Sequence, residues 1–247
     1  MGEININFIN SIADLIVLLD KKYPKKASLE LVGNRYNLNR DERLILYRGV
    51  FDTAGSNRRK KKRLDLLHAG DTADLNIKCL ILDGYNILIS LESYLKGMII
   101  FRALDGYVRD VSGVYGSHSF SGYTERSAGL LADFIKDLTE KFDSRPDVSV
   151  YLDSQVSKSG ELSMYMRDLF KREHISAEVA AIKNPDAVIV ELSRRCANSL
   201  TATSDTVLID EVGRVIDIPD CIIRQVFGTA PLDLNTLLLS KKVKKSG

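Results

Sequence analysis

The chain has 247 residues, 45% of them hydrophobic and 28% charged, which is ordinary for a packed globular protein and gives room for one mid-sized domain and a small one. Its net charge of +2 excludes a polycation. No apolar run reaches the roughly 20 residues that a membrane span needs.

Residues 8–23 are expected to form a helix, because Phe8, Ile12, Leu15, Ile16 and Leu19 fall on one face and Pro24 follows. A second helix from Lys26 to Tyr36 turns Leu29, Val32 and Tyr36 inward. A third opens at Asp41 and carries Leu44, Tyr47 and Phe51. Together they give a small all-α module over 1–55, with Arg35, Arg40, Arg43 and Arg48 on its outer faces. Residues 56–75 read as a basic linker, and 241–247 as a basic tail. The linker contains an unbroken run, Arg58, Arg59, Lys60, Lys61, Lys62 and Arg63. Such runs suit a polyanion, since each neutralised phosphate releases a counterion. A solubilising linker explains either run equally well.

From residue 76 to 240 strands and helices alternate. Cys79 to Leu82 is a continuous apolar run, as a strand buried on both faces requires. Ile99 to Phe101 is a further strand candidate. Residues 125–142 make an amphipathic helix, followed by a strand at Val148–Leu152 and a helix at Ser159–Glu173. A strand follows at Val179–Ile182, and then a helix capped by Asn184 with Pro185 at its first position. Leu200–Thr203 and Val215–Ile218 complete the strands, and a helix starts at Asp220. This alternation predicts an α/β domain of three layers with a mostly parallel central sheet. In such sheets ligands bind beyond the carboxyl ends of the strands.

Cys79, Cys196 and Cys221 stand far apart and form no C-x-x-C pair, which argues against a disulfide framework and a thiolate zinc site. Cys79 and Cys196 are expected to be buried small hydrophobes. The opening Met-Gly-Glu-Ile-Asn lacks the layout of a secretory signal, and a reducing, cytoplasmic setting is expected.

Four acids sit where ligands bind in such a sheet. Asp83 closes the first strand of the domain, Asp153 follows Val150–Leu152, Asp186 opens a helix, and Asp205 follows Thr201–Ser204. Carboxylates converging from separate strand ends make a hard, oxygen-rich site for Mg²⁺ or Mn²⁺. Each also has an ordinary explanation: a turn at Asp83-Gly84, a helix first turn at Asp186, a cap at Asp205.

Leu82-Asp83-Gly84-Tyr85-Asn86 followed by Ile87-Leu88-Ile89 resembles the first motif of the PIN/NYN nuclease superfamily. Pro185-Asp186-Ala187-Val188 resembles its helix-opening acidic motif, and Thr203-Ser204-Asp205-Thr206 its last motif. The resemblance covers about residues 77–212. It implies a PIN-like domain in which Asp83, Asp186 and Asp205 hold metal and Asn86 supports them, and Asp153, by its strand-end position, is a further candidate in support. Many members carry two adjacent acids in the middle motif, where this chain has Pro185 beside Asp186. The whole chain is also similar to an uncharacterised, mainly archaeal family, the N-terminal likeness lying around Tyr23–Tyr36.

Two patches are further candidates for nucleic-acid contact. Ser157, Lys158 and Ser159 run into a helix N-terminus that suits a phosphate, or form a plain serine-rich cap. Gly106 to Tyr123 reads as a loop in which tyrosines stack bases while Arg109 and His118 grip phosphates. The expected function is a metal-dependent nuclease. RNA is preferred to DNA as partner, no membrane is involved, and a homodimer is admitted. The alternatives are a non-catalytic nucleic-acid-binding protein of the same fold and a nucleotide or phosphate-ester hydrolase.

Overall fold

The computed structural model describes residues 6–65, 76–112, 120–142 and 144–243. In chain order the elements are α1 (Ile6–Asp20), α2 (Lys25–Arg35), α3 (Arg40–Gly49), α4 (Thr53–Lys62), β1 (Arg63–Leu64), β2 (Cys79–Asp83), α5 (Gly84–Leu95), β3 (Ile100–Arg102), β4 (Val108–Asp110) and α6 (Gly122–Glu140). They continue with β5 (Asp147–Asp153), α7 (Ser159–Arg172), β6 (Ala177–Ile182), α8 (Pro185–Arg195), β7 (Ser199–Ala202), α9 (Thr206–Glu211), β8 (Val215–Ile216), α10 (Ile218–Phe227), β9 (Leu232–Asp233) and α11 (Leu234–Val243). Two compact units result. No described helix is long and apolar enough to cross a membrane.

The first unit contains α1 to α3, as the apolar spacing predicts, with Phe8, Ile12, Leu15, Val32 and Leu46 buried together. Asn39 caps α3 in a reciprocal capping box with Glu42. The unit's boundaries differ from the expected ones. Ile99–Val111 and the chain from Pro231 fold with the N-terminal helices, where β3 pairs with β4 and β9 in a small sheet. Ile100 to Arg102 is therefore a strand, but not one of the central sheet. Phe101 and Leu234 supply buried apolar surface that three short helices lack.

The second unit is a three-layer α/β sandwich. Its six-stranded parallel sheet has the order β1-β8-β7-β2-β5-β6. β2 sits centrally, which explains its unbroken apolar run. Leu80 and Leu82 face the core built by α5, α6, α7 and α10, while Ile81 faces Ile189 of α8 and Leu208 of α9. Gly84 starts α5 tight against β5, where a Cβ would lie 2.7 Å from Leu152 Cδ2 and 3.1 Å from the Tyr151 carbonyl oxygen.

Two expectations need correction. The basic stretch is not a linker in its described part: residues up to Lys62 are helix α4, and Arg63 begins β1, which pairs with β8. Residues 66–75 lie outside the described residues. Cys79 and Cys196 are joined in a disulfide rather than packed as free thiols. They are 117 residues apart in sequence, so spacing gave no sign of the pairing. Cys79 opens β2 and Cys196 follows α8, which runs back along β2 from its carboxyl end to its amino end. Cys221 is the free, buried thiol. Burial pushes its pKa up to about 12, with Asp217 and Asp220 adding to the effect.

Candidate functional site

The chain leaves β2 through α5 on one face of the sheet and leaves β7 through α9 on the other. β2 and β7 are neighbours, so their carboxyl ends flank a topological switch point, where open parallel sheets form a crevice. A cavity of about 410 Å³ opens there. Asp83, Asp153, Asp186 and Asp205 line it with Tyr85, Asn86 and Asn184, and among the described residues no Lys, Arg or His does. A larger groove of about 920 Å³ flanks the disulfide, at the amino ends of β2 and β5. Its lining mixes acids with Lys78 and Arg195 and holds none of the four cavity carboxylates.

Asp83 is almost fully buried and tied on several sides. Its Oδ2 accepts 2.9 Å hydrogen bonds from Asn86 Nδ2 and from the Thr203 hydroxyl. Asn86 in turn accepts at Oδ1 from the Ser204 hydroxyl, 2.7 Å away. The Asp205 amide donates to Thr203 Oγ1 at 3.1 Å. One network thus spans the crevice from β2 to the β7 loop. Asp205 caps α9, its Oδ1 accepting from the amides of Val207 and Leu208. Asp153 caps a turn through the Gln155 amide. Asp186 stands in the first turn of α8, which Asn184 opens in the left-handed region at φ 52° without a side-chain cap bond.

The acids perturb one another. Burial raises the Asp83 pKa to about 7, with the Asp186 and Asp205 charges adding to the rise against the Thr203 and Asn86 hydrogen bonds. Asp186 is raised by burial and by the charges of Asp205 and Asp153. Tyr85 is pushed to about 12 by burial, then by Asp153 and Glu92. An all-oxygen, mutually repelling donor set fits a hard divalent cation in its chemistry. Among the described residues no three acidic, His or Cys side chains stand close enough together to hold an ion as they are arranged. Asp83 points at Thr203 and Asn86, and Asp205 at its helix amides, so these hydrogen bonds compete with a shared cation.

Thr203, Ser204 and Tyr85 belong to motifs singled out above, yet only the fold shows them in the network or the cavity wall. Other sequence candidates go elsewhere. Ser157, Lys158 and Ser159 are not among the cavity's lining residues. Lys158 pairs with Glu161, and the Ser159 hydroxyl donates to the Ser154 carbonyl. Arg109 is not on a loop; it lies in β4 of the first unit, buried and donating to Asp105. Within the basic run, Arg59 pairs with Asp105 and Arg63 with Asp220, while Lys62 donates to the carbonyls of Ile209 and Asp210. His118 lies outside the described residues.

A family model described as a domain of unknown function, DUF5616, matches residues 72–221, the stretch that holds all four acids. The chain belongs to that family. A second model, DUF434, described as a protein of unknown function, matches residues 7–62. A protein of Methanocaldococcus jannaschii, itself described as uncharacterised, is 33% identical over 207 residues, covering 83% of this chain and 91% of the relative. No solved structure matches. The DUF5616 match runs from just before β2 into α10 and so contains the whole crevice.

Proposed function

We propose that this DUF5616 protein is a divalent-metal-dependent nuclease of PIN/NYN-like design, acting on RNA, with Mg²⁺ or Mn²⁺ held by Asp83, Asp186 and Asp205. The observation that carries the reading is the acid-lined cavity at the switch point: four carboxylates line it and, among the described residues, no cationic side chain does. A phosphodiester cannot enter such a cavity against that charge, so a cation must mediate. When bound, the ion supplies positive charge to the phosphate oxygens and lowers the pKa of water beside them.

The chain's own groups prepare the site. The Thr203 and Asn86 donors favour the ionised form of Asp83 against the cost of burial. The Ser204 bond to Asn86 fixes the amide so that its nitrogen faces Asp83. Asp153 lines the same cavity and supports the metal-holding acids. Exposed Arg58, Lys60 and Lys61 hold the strand through its phosphates.

The test is incubation of the full chain with end-labelled single-stranded RNA and Mg²⁺ or Mn²⁺, with and without chelator, beside Asp83→Asn and Asp186→Asn. Divalent-dependent cleavage lost in both variants is the expected result. Binding without cleavage by the wild type would replace the reading with a non-catalytic RNA-binding role.

A further inference from the structure

The Cys79–Cys196 disulfide joins the two elements that carry two of the cavity acids. β2 begins at Cys79 and ends in Asp83, while α8 has Asp186 in its first turn and Cys196 as its C-cap. β2, of five residues, and α8, of eleven, are each about 16 Å long. They run in opposite directions within one unit, stapled together at one end and carrying Asp83 and Asp186 at the other.

Apart from the disulfide, α8 is lightly held. Pro185 and Ile189 are its buried residues, and Val188, Val190 and Leu192 pack partly buried against the small cluster around Ile189. Near its far end the Ser199 hydroxyl donates to the Ser193 carbonyl at 2.9 Å. Arg194 pairs with Glu211 where both are exposed, which contributes little. Ile189 lies about one turn past Asp186, so a helix released at Cys196 can tilt about that anchor and carry Asp186 with it. The charges of Asp205 and Asp153 act on Asp186 and favour its movement away from them. The sulfurs are also within reach: Cys79 and Cys196 are both half-exposed and line the groove of about 920 Å³. Exposed disulfides, unlike buried structural ones, are the labile and regulatory kind.

We propose that the Cys79–Cys196 disulfide is a site of thiol–disulfide exchange with a dithiol reductant, and that it is the latch by which α8 holds Asp186 at the carboxylate cavity. One thiolate of the dithiol attacks a sulfur of the bond, forming a mixed disulfide and releasing the other cysteine as a thiolate, which takes a proton. The second thiol of the reductant then attacks the mixed disulfide. Two cysteine thiols and an oxidised reductant result, two electrons and two protons having passed to the protein. The latch on α8 stands on the geometry alone; its effect on a bound cation rests on the proposed metal site.

The test treats the intact, folded chain with dithiothreitol or with buffer alone, and then with iodoacetamide. Cys79 and Cys196 should be alkylated after dithiothreitol while buried Cys221 is spared. Alkylation of all three together would mean that the bond opens only on unfolding, and overturns the proposal. Hydrogen exchange of the α8 amides should rise about tenfold more than that of α5 and α7 in the reduced chain. Cys196→Ser should show the raised α8 exchange with or without dithiothreitol. A rise shared equally by all three helices would be a global loss of stability and also overturns it. Mn²⁺ should bind the reduced chain roughly tenfold more weakly than the oxidised one, as loss of a support behind a ligand requires. Equal Mn²⁺ binding by both forms leaves the metal site standing and overturns the latch. Mn²⁺ binding by neither form defeats the metal reading, and the exchange of α8 then decides the latch by itself.

Discussion

The Thr203 hydroxyl donates to Asp83 Oδ2 at 2.9 Å, across the seam where β7 lies against β2 and 120 residues away in sequence. Thr203 Oγ1 in turn accepts from the Asp205 amide. Thr203 is therefore the bridge that makes two strand ends into one site. Thr203→Val keeps the shape and deletes both bonds. It should cost about 1–3 kcal/mol, because buried Asp83 loses a donor. It should also move the Asp83 pKa further above 7, since that bond opposes the rise. Urea unfolding across a pH series checks both, and an unaltered stability would show the bridge to be idle.

Asp83 gives stability a pH dependence of predictable sign. Its folded pKa, about 7, lies above the unfolded value near 4, so the folded state binds the proton more tightly. Its contribution is fully present below about pH 4 and is lost as pH rises through 7. The loss is on the order of 3–4 kcal/mol. In chelator, Asp83→Asn should gain on the wild type between pH 4.5 and 7.5, as roughly this window requires. Mg²⁺ or Mn²⁺ should close the gap by binding the ionised form. A gap that stays constant with pH would show that Asp83 does not titrate there.

Much of the site was legible because strand ends announce themselves. An apolar run ending in Asp83-Gly84 can only be a strand giving way to a turn, and Pro185 after Asn184 marks a helix start. The α/β alternation and the parallel sheet followed from the same signals. What stayed hidden depends on contacts distant in sequence. The Cys79–Cys196 bond joins the start of a strand to the end of a helix, and neither local context differs from that of a buried thiol. Arg109 looked like a loop cation because Gly106 and Tyr107 precede it. Its partner Asp105 is only four residues back, but only the β3–β4 pairing turns the two together. The basic run misled for a different reason: charge composition does not tell a solvated helix face from one that pairs inward.

Asp205→Asn separates chemistry from stability. Asn is as good an N-cap as Asp, so the bonds from the Val207 and Leu208 amides persist. The variant should unfold within about 0.5 kcal/mol of the wild type and lose most divalent-dependent cleavage. Asp205→Ala should lose the activity and about 1 kcal/mol besides. Full cleavage by Asp205→Asn would remove this residue from the proposed ion site.

The disulfide pins one end of the helix whose other end carries Asp186. Closing a chain segment this long restricts the unfolded state strongly, by about 4–5 kcal/mol on the loop-entropy estimate. Cys196→Ser, or reduction by a dithiol, should therefore lower unfolding stability by about 2–5 kcal/mol. Reductant should leave Cys196→Ser unchanged. Equal unfolding of the wild type with and without reductant would show that the bond is absent in solution or carries no stability.

The basic run should divide into two classes that a binding assay and an unfolding assay report separately. Arg58, Lys60 and Lys61 are exposed on α4, and the run from Arg58 to Arg63 holds no aromatic residue and no Asn or Gln. Changing all three to Ser should weaken RNA binding alike for every sequence. It should also flatten the salt dependence by roughly 0.7 log units per lost phosphate contact. Stability should hold. Arg63 is different, because it pairs with Asp220, which is fully buried and shared with Arg224. Arg63→Ser removes one guanidinium group from that buried carboxylate and should cost about 3–5 kcal/mol, the usual penalty for breaking a buried pair. An unchanged salt slope in the triple variant would make the exposed face a solvated one. A stable Arg63→Ser variant would mean that Arg224 alone suffices for Asp220.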